Sequence, residues 1–235
     1  MVKISQREQQ RETTIEMIKS LARAQMKAEG TAAISLRGIA RDMNVTAPAL
    51  YRYFANRDDL ITDLLLDAFN AIADFMIAAD IGISRDRYVE RLIAVMMAYR
   101  SWALEHPTDF QLIYGNPIPG YVAPAELTVP AASRAFEPVV AILSEALQAG
   151  VLVPPIRVEE LPPAIAEHLQ QLIVDYDYPP LPIVLYLATL GWERIHGMVT
   201  LELFDQTPPL VGDSEAHYRF EVGRLCAEMN LYPKP

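Results

Sequence analysis

Apolar residues along this chain recur at three- and four-residue spacing, the period of a helix, in most segments long enough to hold one. Residues 7 to 29 place Ile15, Ile18, Ala22 and Met26 on one face with charges elsewhere, and Gly30 marks the end. Behind Ser35, a capping residue, come Leu36, Ile39, Ala40 and Met43. Asn44, which tolerates left-handed backbone, closes that helix. Val45 is expected to plug the angle of the turn, and Thr46 to cap a further helix from Ala47 to Phe54. Pro48 sits in its first turn, where a missing N–H costs nothing. Two short helices around a tight turn form a helix-turn-helix. After Asn56, a cap, the pattern predicts a long helix over residues 57 to 79 with Leu60, Leu64, Ala68, Ile72 and Phe75 in register. Another is expected from Ser84 to His106, where Pro107 forces a break.

From Pro107 onward the texture changes. A short segment, residues 108 to 114, runs into Gly115 to Pro124, where Pro and Gly recur too often for a regular helix, so an ordered loop is expected. The pattern then predicts a helix over 130 to 149, kinked at Pro138 and ended by Gly150, and a linker at Pro154 and Pro155. Helices follow over 162 to 174, 182 to 204 and 214 to 231, the last with Tyr218, Val222, Leu225 and Met229 on one face. The segment 182 to 204 is the most apolar in the chain, its charges limited to Glu193, Arg194 and Glu202. A helix apolar around most of its circumference needs cover on more than one side, and a second copy of the chain would supply it. No repeats, low-complexity tracts or sustained period-two alternation stand out, so the expected class is all-α.

With 51% hydrophobic residues in 235, the chain can bury a substantial core in one or two domains. Its net charge of −10 argues against a general nucleic-acid coat. The distribution changes that picture: residues 1–60 hold ten Lys/Arg against seven Asp/Glu, residues 61–235 ten against twenty-three. A weakly basic head on an acidic body would present only the head to DNA. Cys226 is the single cysteine, so no intrachain disulfide forms and a reducing cytoplasm is the expected setting. Met1 to Arg11 lacks the apolar core of a signal peptide, and the longest apolar run, Ile183 to Trp192, is too short to span a bilayer.

The helix from Ala47 to Phe54 leaves an unusual surface. Leu50 and Phe54 can face the core, while Ala47, Ala49, Tyr51, Arg52 and Tyr53 share the rest. Small residues at a tip with arginines and phenol hydroxyls behind suit a helix pushed into a DNA groove; a solvated helix of a small bundle is the plainer reading. On the first reading Tyr51, Arg52, Tyr53 and Arg57 meet phosphates and Arg37 can reach a guanine edge. Thr46 touches a phosphate and Ala47 a thymine methyl, beside Pro48.

The run Leu36-Arg37-Gly38-Ile39-Ala40, then Val45-Thr46, then Ala49-Leu50-Tyr51-Arg52-Tyr53-Phe54, then Arg57-Asp58-Asp59-Leu60 resembles the DNA-binding domain of the TetR/AcrR family of transcriptional regulators, over roughly residues 10 to 65. The chain departs from that family's pattern at Asn44, where Gly is usual, at Tyr53, where His is common, and at Arg57, where Lys is usual. All three keep the chemistry, so they touch operator choice more than function. Trp192-Glu-Arg-Ile-His196-Gly197, with His106-Pro107 and the proline-rich loop, is similar to the Trp-His-Gly subgroup of such regulators' ligand domains over most of residues 80 to 205. The resemblance implies a three-helix DNA-binding head, residues 1–60, and a helical effector-binding and dimerisation domain, residues 61–235.

Met96, Met97, Tyr99, Arg100, Phe110, Tyr114 and Trp192 can line an adaptable apolar pocket or form ordinary core. His196 beside Gly197 is either a ligand contact or a packed core histidine at a close helix crossing. Catalysis finds little support: there is no Gly-rich phosphate loop, no paired-Cys or His-x-x-x-His spacing and no Gly-x-Ser-x-Gly elbow. No catalytic residue, metal or cofactor is therefore expected. The expectation is a homodimeric, ligand-responsive transcriptional regulator, a repressor released from a palindromic double-stranded DNA operator by a small molecule whose identity the sequence does not give. The alternative is a helical small-molecule-binding protein or enzyme whose N-terminal helices mediate protein contacts.

Overall fold

The computed structural model describes residues 5–176 and 181–232, which leaves the first four residues of the polar amino-terminal stretch outside it. Every regular element among the described residues is helical. Helix α1, Gln6–Glu29, opens on a capping box in which Ser5 and Glu8 satisfy each other's backbone N–H groups, and it stops at Gly30, whose φ is 91°. A 3-10 turn, Thr31–Ala33, leads into α2, Leu36–Asp42, and α3, Ala47–Leu50; α4 is the long helix Arg57–Asp80. Asn56 caps α4 by accepting from the Asp59 N–H at 2.9 Å. Of its expected apolar stripe, Leu60, Leu64, Ala68 and Ile72 are buried, but Phe75 is exposed.

Helix α5, Tyr88–Glu105, begins three residues later than a cap at Ser84 would start it. Ser84 is used in a turn instead, its hydroxyl donating to Asp86 and its carbonyl accepting the Arg87 N–H. The chain breaks at His106 and resumes as α6, Pro107–Tyr114, with Pro107 in the first turn. The expected single helix over 130 to 149 is two: α7, Ala125–Arg134, and α8, Glu137–Gln148. Ala135 and Phe136 close α7 with i to i−3 bonds, and Pro138 lies in the first turn of α8, so it starts a helix where a kink was expected. Then come α9, Pro163–Tyr176; α10, Pro182–Leu203; a one-turn α11, Pro208–Val211; and α12, Ser214–Glu228.

Two compact units result. One holds the residues up to Phe69 together with His106–Val129; the other holds Asn70–Glu105 and the residues from Pro130 onward. The first division between these units falls in the middle of α4, after Phe69. In the first unit, Ile18, Ala22 and Met26 of α1 are buried along with Ile39, Leu50, Leu60 and Leu64. Lys19 is buried as well, between Asp63 at 2.8 Å and Asp67 at 2.9 Å, while Arg23 pairs with Asp109 of α6 at 2.9 Å. Burial pulls the Lys19 pKa down, but its hydrogen bonds to the two carboxylates prevail and raise it. In the second unit α5 packs against α8, α10 and α12.

Candidate nucleic-acid interface

The turn between α2 and α3 is built almost entirely from backbone. Ser35 caps α2 through the Gly38 N–H at 3.2 Å, and Gln25 of α1 accepts from the Ser35 N–H at 3.0 Å. A Cβ on Gly38 would stand 2.7 Å from the Gln25 amide, so glycine lets α1 lie close against α2. At the far end, Asn44 takes φ 54°, its N–H reaches the Arg41 carbonyl and the Val45 N–H reaches the Ala40 carbonyl, both at 3.0 Å. Those two bonds make a Schellman motif, which satisfies the last carbonyls of α2. Val45 therefore contributes its N–H and not a side-chain plug: the side chain is 42% exposed.

Thr46 has the extended backbone of a helix cap, but its side chain makes no capping bond. Helix α3 lasts a single turn, and residues 51–53 continue as a turn rather than as the helix expected to Phe54. Leu50 and Phe54 are buried as expected. Arg37, Thr46, Pro48, Tyr51 and Arg52 are exposed, while Ala47, Tyr53 and Arg57 are half-buried. All eight expected DNA contacts thus lie in the first unit with at least part of their surface open.

Arg57 is held by two backbone carbonyls. Its Nε donates to the Ile34 carbonyl at 3.0 Å and one terminal nitrogen to the Ala32 carbonyl at 2.9 Å. Sequence reasoning missed Arg11, which donates to the Arg52 carbonyl at 3.3 Å with its guanidinium 5.4 Å from the centre of the Tyr53 ring. These groups border a cleft of about 810 Å³ lined by Gln6, Arg7, Glu8, Gln10, Arg11, Arg52 and Tyr53. The readable signal was the pair Arg7 and Arg11, one helical turn apart on α1.

The expected effector contacts divide between the units. Phe110 and Tyr114 belong to the first, their rings 5.1 Å apart, with Phe69 6.2 Å from Tyr114. Met96, Met97, Arg100, Trp192 and His196 belong to the second. There the Trp192 ring stacks on His196 at 4.9 Å, Phe136 lies 5.7 Å from Trp192, and the Tyr99 hydroxyl shares a 2.7 Å hydrogen bond with His196 Nδ1. Burial lowers the His196 pKa below 6.5. Arg100 is committed to Glu202 through two bonds of 2.8 and 2.6 Å. Met96 is core, and its carbonyl accepts from the Tyr218 hydroxyl at 3.1 Å. Among the described residues no group of His, Cys, Asp or Glu is arranged to hold a metal ion, and no helix is long and apolar enough to cross a membrane.

Comparison with known proteins fixes the family. Residues 18–64 match the family model of the bacterial regulatory proteins, tetR family, and residues 92–225 that of the tetracyclin repressor-like, C-terminal domain. HTH-type transcriptional regulators of Mycobacterium tuberculosis and Mycobacterium bovis are each 32% identical over 206 residues, which cover 87% of this chain and 86% of theirs. The chain belongs to the TetR family. Among solved structures of similar shape, the "putative regulatory protein SCO4313" aligns with a TM-score of 0.77 at 32% identity, over 95% of this chain and 100% of that one. The TetR family regulator PfmR of Thermus thermophilus gives 0.57 at 16% identity over 89% of this chain and 96% of that one, a likeness of fold alone. As a TetR-family protein this chain is a DNA-binding transcriptional regulator, and the α2–α3 helix-turn-helix is its DNA-binding motif. The model matching the body is described as tetracyclin repressor-like and does not name the Trp-His-Gly subgroup.

Proposed function

We propose that this TetR-family regulator is a homodimeric repressor, released from a palindromic operator by a small molecule, and that it acts in the cytoplasm without an enzymatic activity of its own. The observation that carries the reading is the helix-turn-helix itself: a rigid backbone turn that leaves Arg37, Thr46, Pro48, Tyr51 and Arg52 exposed around a one-turn helix. In this reading Tyr51, Arg52 and Tyr53 meet phosphates, Arg37 a base edge, and Thr46, Ala47 and Pro48 the groove floor. So short a reader makes few base contacts, and two heads related by a two-fold axis double them.

A stripe on α10 supports the second copy. Leu190, Leu201 and Phe204 are exposed along it, and a Cβ on Gly197, midway, would meet nothing within 4 Å, which is room for a closely crossing helix. Residues 61–235 would then serve dimerisation and effector binding, with Met96, Met97, Trp192 and His196 near the effector. Arg100 keeps its carboxylate partners, and Phe110 and Tyr114 pack inside the other unit. An effector acts by binding the DNA-incompetent arrangement more tightly than the competent one.

Salt titration of duplex binding by the purified full chain tests the DNA reading. The affinity is expected to fall with salt at a logarithmic slope of about 0.9 per phosphate contact, because each neutralised phosphate releases counterions. Binding indifferent to salt, or none, would favour protein contacts through the same helices.

A further inference from the structure

We propose that Arg11 and Arg57 are positioning residues that fix the two ends of the helix-turn-helix, so that DNA specificity depends on side chains outside the segment that reads. The proposal rests on the reading of residues 35–54 as the DNA-contacting segment.

A one-turn helix such as α3 has no stability of its own, since nucleation is unfavourable and propagation has not begun. Thr46 supplies no cap, and the buried anchors Leu50 and Phe54 pin one side only. What fixes the carboxyl end is Arg11. It donates to the Arg52 carbonyl, which lies past the helix end and lacks a helical partner, and its guanidinium lies against Tyr53. Among the described residues, no other side chain from outside 46–54 hydrogen-bonds to that stretch. At the entry, Arg57 spends two donors on the carbonyls of Ala32 and Ile34, just before the Ser35 cap of α2.

The reader is thus tied at 32–34 to the start of α4 and at 52–53 to α1. A planar guanidinium presents several donors in a fixed fork to neighbouring carbonyls, a geometry that the compact, freely rotating ammonium of lysine does not reproduce. Replacement by lysine therefore keeps the charge and removes the geometry.

The experiment uses the full-length protein, a duplex enriched from a random pool by the parent, and an unselected duplex of equal length. Arg11→Lys, Arg57→Lys and Arg11→Ala are compared over a range of salt. The lysine variants are expected to keep the parental salt slope and to lose about ten-fold in the ratio of selected to unselected affinity, the order expected for one lost charge-assisted hydrogen bond. In the free protein, the amides of residues 47–54 in Arg11→Lys should exchange hydrogen several-fold faster while those of α4 do not change. Lysine variants with parental ratio and exchange, together with an Arg11→Ala slope flatter by about 0.9, would assign a phosphate contact and overturn the proposal. A lysine variant whose helical circular dichroism is lost also overturns it, because that arginine then holds up the fold rather than aims the reader. If the parent enriches no duplex, the DNA reading fails first and takes the proposal with it, a result that involves no variant.

Discussion

His196 lies against the Trp192 indole and shares a hydrogen bond with Tyr99, and burial keeps its folded-state pKa below 6.5. The unfolded chain therefore takes up that proton first as pH falls. Stability is unaffected by this group well above 6.5 and erodes as pH drops through that value toward the lower folded one. Between about pH 7.5 and about pH 5.5 the thermal midpoint of the parent should fall further than that of His196→Gln, and the two curves should run parallel above pH 7. A constant offset across the range would mean that His196 protonates as easily folded as unfolded. At this scale the sequence was legible where backbone decides and opaque where side-chain direction does. Asn44 was readable as a left-handed turn residue, because few residues tolerate that conformation. Val45 was misread because the Schellman motif needs its N–H and leaves its side chain outside.

Arg91 shows what whole elements hide from a reader of sequence. A charged letter on an amphipathic helix is usually a solvated face, yet this guanidinium is fully buried. It binds Asp80 at the end of α4 through bonds of 2.7 and 2.8 Å, Glu145 of α8 at 2.6 Å and the Arg85 carbonyl at 3.1 Å. The hydrogen bonds from Arg91 hold the Asp80 carboxyl below the usual range. Three helices converge on one side chain, and Arg91→Met would leave Asp80 and Glu145 with the exposed Arg85 in place of a buried partner. The expected loss is about 3–5 kcal/mol in chemical denaturation, with Arg85→Met, on the exposed rim of the same cluster, within about 1 kcal/mol of the parent. Equal effects would mean that the buried arginine is no more than another surface pair. Helix existence was legible from period alone, but boundaries failed where local signals compete. Ser84 has the letter of a cap and the job of a turn, and the first five residues of α7, 125–129, were missed because the proline-rich run ending at Pro124 read as loop and the expected helix opened at Pro130.

For the molecule as a whole, the apolar segment 182 to 204 that suggested a partner divides into two faces. Leu187 is 2% exposed and belongs to the core of a single chain, whereas Leu201 and Phe204 are 47% and 58% exposed. Leu201→Glu combined with Phe204→Glu should therefore give a folded protein with half the parental mass in light scattering and greatly weakened operator binding. Leu187→Glu should lower the thermal midpoint instead, since it buries an unpaired charge. A parent of one-subunit mass at micromolar concentration, with full operator affinity, would remove the dimer from the reading. The DNA-binding motif was legible because its residues are contiguous in sequence. How the expected effector residues divide between units was not, because spacing along a chain carries no information on which bundle a helix joins: Phe110 and Tyr114 fall in one unit, Trp192 and His196 in the other.

The unit that holds the DNA-binding motif is written in two stretches of the gene, with residues 70–105 between them. A fragment ending at Leu60 or Phe69 leaves Arg23 without Asp109, and any Thr62 it retains without the Tyr121 hydroxyl 2.9 Å away. A chimera that grafts this DNA specificity onto the effector domain of another regulator therefore needs more than one crossover. Residues 106–129 have to travel with the first 69, or the recipient must supply a matching α6 with an acidic residue where Asp109 stands.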